Sequence, residues 1–327
     1  MATVIGVIGS IITIFSFLSE NFNADGGSSS ETKMRVVAAL DGTSGLSNAG
    51  GDYPDVRLFN ENGEFLGGRY DPGKVSDGNA YDINIQQSTG QQPTYALFTG
   101  NADAICIAYI AATWPDGQKY GWVGSWGRRC GKPWYYSGIV ISGKYPDCIW
   151  LDSNGDPTPV TAFQVHFPEF NDKGNGYNSN SEYYCDHAPP FNTYTHNDPN
   201  VISYWGRKRS TPEHATSPPA VVPASKARKV RSSVRSLRDD TRLVKSSIRT
   251  HSASELCESE TSTGPDFLSL VEGKFCDMKT RQLWDVCDAE KGVLSECFDV
   301  ETNVILLPVH ARGANSTVYS TVIEWGQ

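Results

Sequence analysis

The sequence has no lysine, arginine or histidine in its first 22 residues, and beyond that stretch it has no long apolar run. That stretch is short for a bilayer span, which argues against a single-pass membrane protein, and without a cationic n-region it is not an ordinary secretory leader. No two of the eight cysteines lie closer than the ten residues separating Cys287 from Cys297. Zinc sites built from CxxC pairs are thereby excluded. Also missing are GxSxG, HExxH, a P-loop and GxGxxG, so no common enzyme signature is present. Histidines are few and scattered, at 166, 187, 196, 214, 251 and 310.

What is present points to β-structure. Glycine (31) and proline (18) are abundant beside 15 tyrosines and 8 tryptophans in 327 residues, a composition of turns between short aromatic strands. β-rich runs occur at 34–40, 56–60, 81–87, 94–99, 104–114, 120–126, 134–142, 148–151, 161–167 and 201–205. Asn62-Gly63, Asp77-Gly78, Asp116-Gly117 and Asn154-Gly155 punctuate them as turns. The expected fold is mainly β, an antiparallel β-sandwich or barrel of jelly-roll type over 34–205. No internal repeat is evident.

Around this domain the organisation is expected to be an apolar helix or atypical signal sequence at 1–22 and a flexible linker at 23–33. A Pro/Ser-rich linker follows at 206–226, then a basic amphipathic helix at 227–250 and a cysteine-containing segment at 251–327 with terminal strands at 304–308 and 316–325. A second short helical pattern falls near 278–287. The apolar stretch has a stripe of small residues that would suit close helix packing, against the protein's own body, in a membrane or between copies. Arg207-Lys208-Arg209 could be a processing site or part of a solvated linker.

The net charge of −9 hides a strong asymmetry. Residues 207–249 carry 12 basic and three acidic residues, a net of +9, which leaves −18 on the remainder. Val230, Val234, Leu237, Thr241, Val244 and Ile248 recur at alternating steps of four and three. Arg228, Arg231, Arg235, Arg238, Arg242, Lys245 and Arg249 do the same. On a helix these form adjacent apolar and cationic stripes, expected to associate with the acidic body, with a second copy of the chain, or with an anionic membrane. The overall acidity argues against nucleic acid as a partner.

Cys106, Cys130, Cys148 and Cys185 precede the basic segment and Cys257, Cys276, Cys287 and Cys297 follow it. Two disulfides in each half would suit an extracellular or secretory compartment, and free buried thiols are the other reading. No cofactor and no metal are expected. Asp152-Ser153-Asn154-Gly155-Asp156 begins like a calcium loop, but Pro157 stands where glycine belongs, so a hairpin turn is favoured. Cys185-Asp186-His187 cannot form a nucleophile–base pair along a strand, where neighbours point to opposite faces. Trp114, Trp122, Trp126 and Trp134 lie in an aromatic-dense stretch that could be sandwich core or an exposed platform for sugar rings. Asn315 heads the one N-glycosylation sequon.

Several runs taken together, namely 47–52, 55–60, 104–109, 113–117, 208–215 and 272–278, resemble a group of uncharacterised proteins of filamentous fungi. The resemblance spans most of 35–300. It implies a fungal source and an exported product, and it supplies no reaction, ligand or catalytic residue. The expected function is non-enzymatic and extracytoplasmic, with a structural or self-associating role. A membrane-active, toxin-like protein and a glycan-binding or carbohydrate-active module are the alternatives.

Overall fold

The computed structural model describes residues 30–39, 49–76, 78–153, 160–170, 181–185, 188–196, 198–206, 240–308 and 318–326. The expectations for 1–22, most of 23–33 and of 206–226, Arg228, Val230, Arg231, Val234, Arg235, Leu237, Arg238 and Asn315 lie outside these residues. So do those for Asp186-His187 and the end of the calcium-like loop.

The fold is mainly β. One sheet runs β10 (Trp134–Tyr136), β11 (Asp147–Leu151), β8 (Ile105–Thr113), β1 (Glu31–Ala38) and β6 (Ala80–Gln86), and β9 (Lys119–Val123) also pairs with β8. A second runs β13 (Phe191–Tyr194), β12 (Ala162–His166), β7 (Tyr95–Thr99), β3 (Asp55–Phe59) and β4 (Phe65–Arg69). Every pairing in these two sheets is antiparallel. A two-stranded ribbon joins β2 (Gly51–Asp52) to β5 (Lys74–Val75).

The sheets meet through rings. Trp122 of β9 stacks on Phe163 of β12 and on Phe191 of β13, with centroids 5.2 and 5.5 Å apart. Trp114 meets Phe167 edge-on at 5.4 Å, and Trp126 of the short helix α1 (Ser125–Arg129) packs on Tyr184 at 4.5 Å. Strand β1 begins at Glu31 and alternates half-buried with buried residues, as a strand with one covered face should.

Residues 201–205 are ordered but form no strand. The Gln164 amide substitutes for a neighbouring backbone there. Its Nε2 donates to the Ser203 carbonyl at 2.7 Å and its Oε1 accepts from Ser203 N at 2.8 Å. Buried Arg57 holds the preceding stretch by donating to the Pro199 carbonyl and pairing with Asp198.

The C-terminal segment is a further seven-stranded mixed sheet, and over 242–246 the expected helix is a strand. Arg242–Ser246 is strand β14, running parallel to both β15 (Asp266–Ser269) and β20 (Thr321–Trp325). Leu243 explains the difference: it belongs to neither helical stripe, whereas a strand buries it on one face and Val244 on the other, both fully. Arg242 is correspondingly buried against Asp240, and Ile248 is buried too, so neither belongs to an exposed seam. The helical pattern near 278–287 is likewise a turn followed by β17 (Gln282–Val286), paired with β16 (Lys274–Asp277). Strands β18 (Cys297–Asp299) and β19 (Val304–Leu306) complete the sheet.

This sheet contains a repeat that sequence inspection missed. Four turns share one design: Ser269–Gly273, Asp277–Arg281, Asp288–Gly292 and Asn303 with Asp299 before it. The fifth residue of each has positive φ: Gly273 66°, Arg281 60°, Gly292 74° and Asn303 57°. Asp277, Asp288 and Asp299 each accept two backbone N–H bonds through Oδ1, and Ser269 Oγ accepts one from Glu272. Only the turn residues recur, at unequal spacing, so the strands between them hide the periodicity.

All eight cysteines pair: Cys106–Cys148, Cys130–Cys185, Cys257–Cys276 and Cys287–Cys297, with Cα atoms 5.0–5.6 Å apart. Each half holds two bridges, the pattern of proteins in oxidising compartments. Among the described residues no helix is long and apolar enough to cross a membrane.

Candidate functional site

Trp114, Trp122, Trp126 and Trp134 are all at most 1% exposed, so the sugar-platform reading of these four is overturned. They fill the interior because each lies at a sheet–sheet or sheet–helix contact. Trp205 is 43% exposed, and it sits beside a cluster of charged and aromatic groups.

Five segments build that cluster. His166 ends β12, and the 3-10 turn Phe167–Phe170 that follows carries Glu169. Glu61 comes from the turn joining β3 to β4, where Gly63 at φ 76° lies under the Tyr204 ring. A Cβ there would come within 2.6 Å of that ring. Tyr95 opens β7, Tyr183 lies in the 3-10 turn Ser181–Tyr183, and Trp205 ends the strap pinned by Gln164.

His166 is nearly enclosed and stacks on Tyr95 at 4.1 Å. Its Nε2 lies 2.9 Å from Glu61 Oε2, and its Nδ1 is 3.7 Å from Glu169 Oε1, an ion-pair approach rather than a hydrogen bond. Tyr183 donates its hydroxyl to Glu169 Oε2 at 2.8 Å and stacks on Trp205 at 5.9 Å. The Trp205 N–H donates to the Tyr95 hydroxyl at 3.1 Å. His166 first, then the Tyr183 hydroxyl and the Trp205 indole, hold the Glu169 carboxyl below its ordinary value despite partial burial. The result is an ionised carboxylate and an exposed indole, both held by neighbouring side chains. Such an arrangement can accept hydroxyl hydrogen bonds and offer a ring face in the same place.

A second cluster lies where the sandwich meets the seven-stranded sheet. Arg128 sits 3.9 Å over the Trp134 ring and bridges Asp147 at 3.5 Å and Glu255 at 2.8 Å. Glu255 belongs to the short helix α2 (Ala253–Glu258), capped by Ser252 Oγ. His251 stacks on Tyr136 at 4.2 Å, and its Nδ1 is 3.0 Å from Ser246 Oγ. The serine–histidine contact imitates a nucleophile and its base, yet both residues are buried and Ser246 Oγ also accepts from Ile248 N. Reagents have no access, and the pair fastens the loop after β14.

Cys185 is spent on its bridge to Cys130. Asp152 is buried, and no cluster of three or more metal-ligating side chains occurs among the described residues.

No protein-family model and no curated protein matches the chain. Among solved structures it is similar to a crystal structure of Delta413-417:GS LOX, at 14% identity and TM-score 0.22, covering 36% of this chain and 16% of that one. The anaerobic complex of that protein with arachidonate gives the same values. An alanine variant gives 13% identity and TM-score 0.23 over 29% of this chain and 14% of that one. The chain thus spans 14–16% of the length of these LOX chains, and likeness at this level carries no argument about fold or activity.

Proposed function

We propose that the protein is a non-enzymatic, extracytoplasmic β-sandwich protein that binds saccharides at the Trp205 patch. The observation that carries this reading is the pairing of the exposed Trp205 ring with the Glu169 carboxylate through Tyr183. Sugar rings present apolar C–H faces that lie on aromatic rings and hydroxyls that donate to carboxylates. Fixing both partners before binding lowers the ordering cost of recognition. Four disulfides support an extracytoplasmic location, as does the resemblance to exported fungal proteins. Self-association through a helix at 227–250 loses part of its support, because 242–246 is a central strand.

Trp205→Ala is expected to weaken binding of a neutral oligosaccharide at least tenfold, corresponding to about 1.4 kcal/mol. A glycan array selects the oligosaccharide, and tryptophan emission then follows its titration into wild type and variant. Absence of array binding, or an unchanged affinity in the variant, overturns the reading.

A further inference from the structure

A cleft of about 740 Å³ opens between the sandwich and the seven-stranded sheet, away from the Trp205 patch. Its size falls within the range of small-molecule sites, and junctions between structural units are where such sites concentrate. One wall comes from the turn carrying Lys132 and from Thr193 and Thr195 at the end of β13. The other comes from residues 260–264 and from the turn carrying Met278 and Lys279.

Both walls are braced. Cys130–Cys185 anchors the turn before Lys132, and Cys257–Cys276 anchors the opposite wall. The walls also join directly: Trp134 N donates to the Thr261 carbonyl, Thr263 N to the Trp134 carbonyl, and the Trp150 indole to the Thr263 carbonyl at 2.8 Å. The cleft is therefore set by the fold itself.

Which polar groups remain uncommitted decides the ligand. Asp240 accepts two side-chain hydrogen bonds from Arg242. Asp266 accepts from Met278 N and from the Tyr319 hydroxyl, each at 2.8 Å. Arg281 donates to Ser262 and to the Leu256 carbonyl. Asp240 is thus paired with an opposite charge, whereas Asp266 and Arg281 are bonded only to neutral groups and offset each other in the charge of the cleft. Lys132, Lys279, Glu260 and the hydroxyls of Thr193, Thr195 and Thr263 line the same cleft, and their side chains have no partner among the described residues. Among the described residues, two ammoniums without a partner against one such carboxylate make a positive balance, in a protein whose charge outside 207–249 is −18. The three hydroxyls add donors and acceptors, and no aromatic ring lines the cleft among the described residues.

We propose that this cleft binds a small polyhydroxylated anion of the hexuronate class, its carboxylate held by Lys132 and Lys279 and its hydroxyls by Thr193, Thr195, Thr263 and Glu260. The site is independent of the Trp205 patch.

The test is calorimetric titration of galacturonate and of galactose into the intact protein at low ionic strength. Galacturonate is expected to bind at least tenfold more tightly than galactose, and more weakly as salt is added. Lys132→Gln with Lys279→Gln should abolish that preference, while Trp205→Ala leaves it intact. Circular dichroism and the absence of free thiols verify that the variants are folded, and Thr193→Val, which keeps both charges, should weaken both sugars alike. Equal binding of the two sugars, no binding of galacturonate, or a preference that survives the double lysine substitution overturns the proposal.

Discussion

Trp122→Ala is expected to lower the unfolding free energy by about 3–5 kcal/mol, the cost of deleting a large buried aromatic side chain. Trp122 is fully buried and stacked on both Phe163 and Phe191, so its loss opens a cavity between two sheets held apart by other strands. Denaturant unfolding with disulfides intact measures the change. Trp122→Phe should cost much less, because the indole Nε1 has no acceptor among the described residues and its removal strands no partner. Trp134→Phe gives the contrast. Its Nε1 donates to Ser259 Oγ at 3.0 Å, and the substitution removes that bond across the joint between the two units, leaving the hydroxyl with the long 3.4 Å bond from Thr261 N. Equal costs for the two phenylalanine substitutions would contradict this account of how the core tryptophans are held.

The β-sandwich was legible because its signal is local. Alternating burial along β1, runs such as Ile105–Thr113 and Asn-Gly or Asp-Gly turns are each visible in a few neighbouring residues. Burial of the tryptophans was not legible, since a core ring and a platform ring have the same neighbours in sequence. The stretch 242–246 shows how a local pattern can mislead. Alternating steps of three and four satisfy a helix, but β14 gains backbone partners on both sides from segments about 25 and 80 residues away. Parallel pairing over such separations leaves no mark in a short window. The repeated turns were missed for the opposite reason: Gly273, Arg281, Gly292 and Asn303 serve one backbone role with three residue types.

The candidate sites were less legible still. Glu61, Tyr95, His166, Glu169, Tyr183 and Trp205 are dispersed over 145 positions of sequence and meet only because β3, β7 and β12 are neighbours in one sheet. Trp205 could have been singled out as the aromatic at the end of a run with Asn, Ser and Gly around it, a setting less apolar than that of Trp114–Trp134. Nothing in the sequence brings Lys132 to face residue 279. That juxtaposition follows from the bridge between Trp134 and Ser262.

His251→Phe is expected to shift stability toward the variant by about 3 kcal/mol between pH 7 and pH 4, relative to wild type. Burial first, and the Arg128 charge second, lower the His251 pKa from 6.5 to about 3 in the folded protein. The unfolded chain takes up a proton near 6.5, so the folded state loses stability as pH falls below that value, until it too is protonated near 3. The slope is about 1.4 kcal/mol per pH unit for one group. Burial acts oppositely on Asp147 and Asp266, raising each carboxyl from 3.8 to about 6. Their favourable contribution is complete below 3.8 and is lost as pH rises through 6, so wild type carries opposing slopes across this window. Phenylalanine keeps a ring against Tyr136 but removes the Ser246 hydrogen bond, a constant cost of about 1 kcal/mol. The variant should therefore be less stable than wild type at pH 7 and more stable at pH 4, with the two denaturation profiles crossing between. Parallel profiles would mean that His251 takes up its proton equally in the folded and unfolded states, contrary to its enclosure between Tyr136, Phe267 and Trp325.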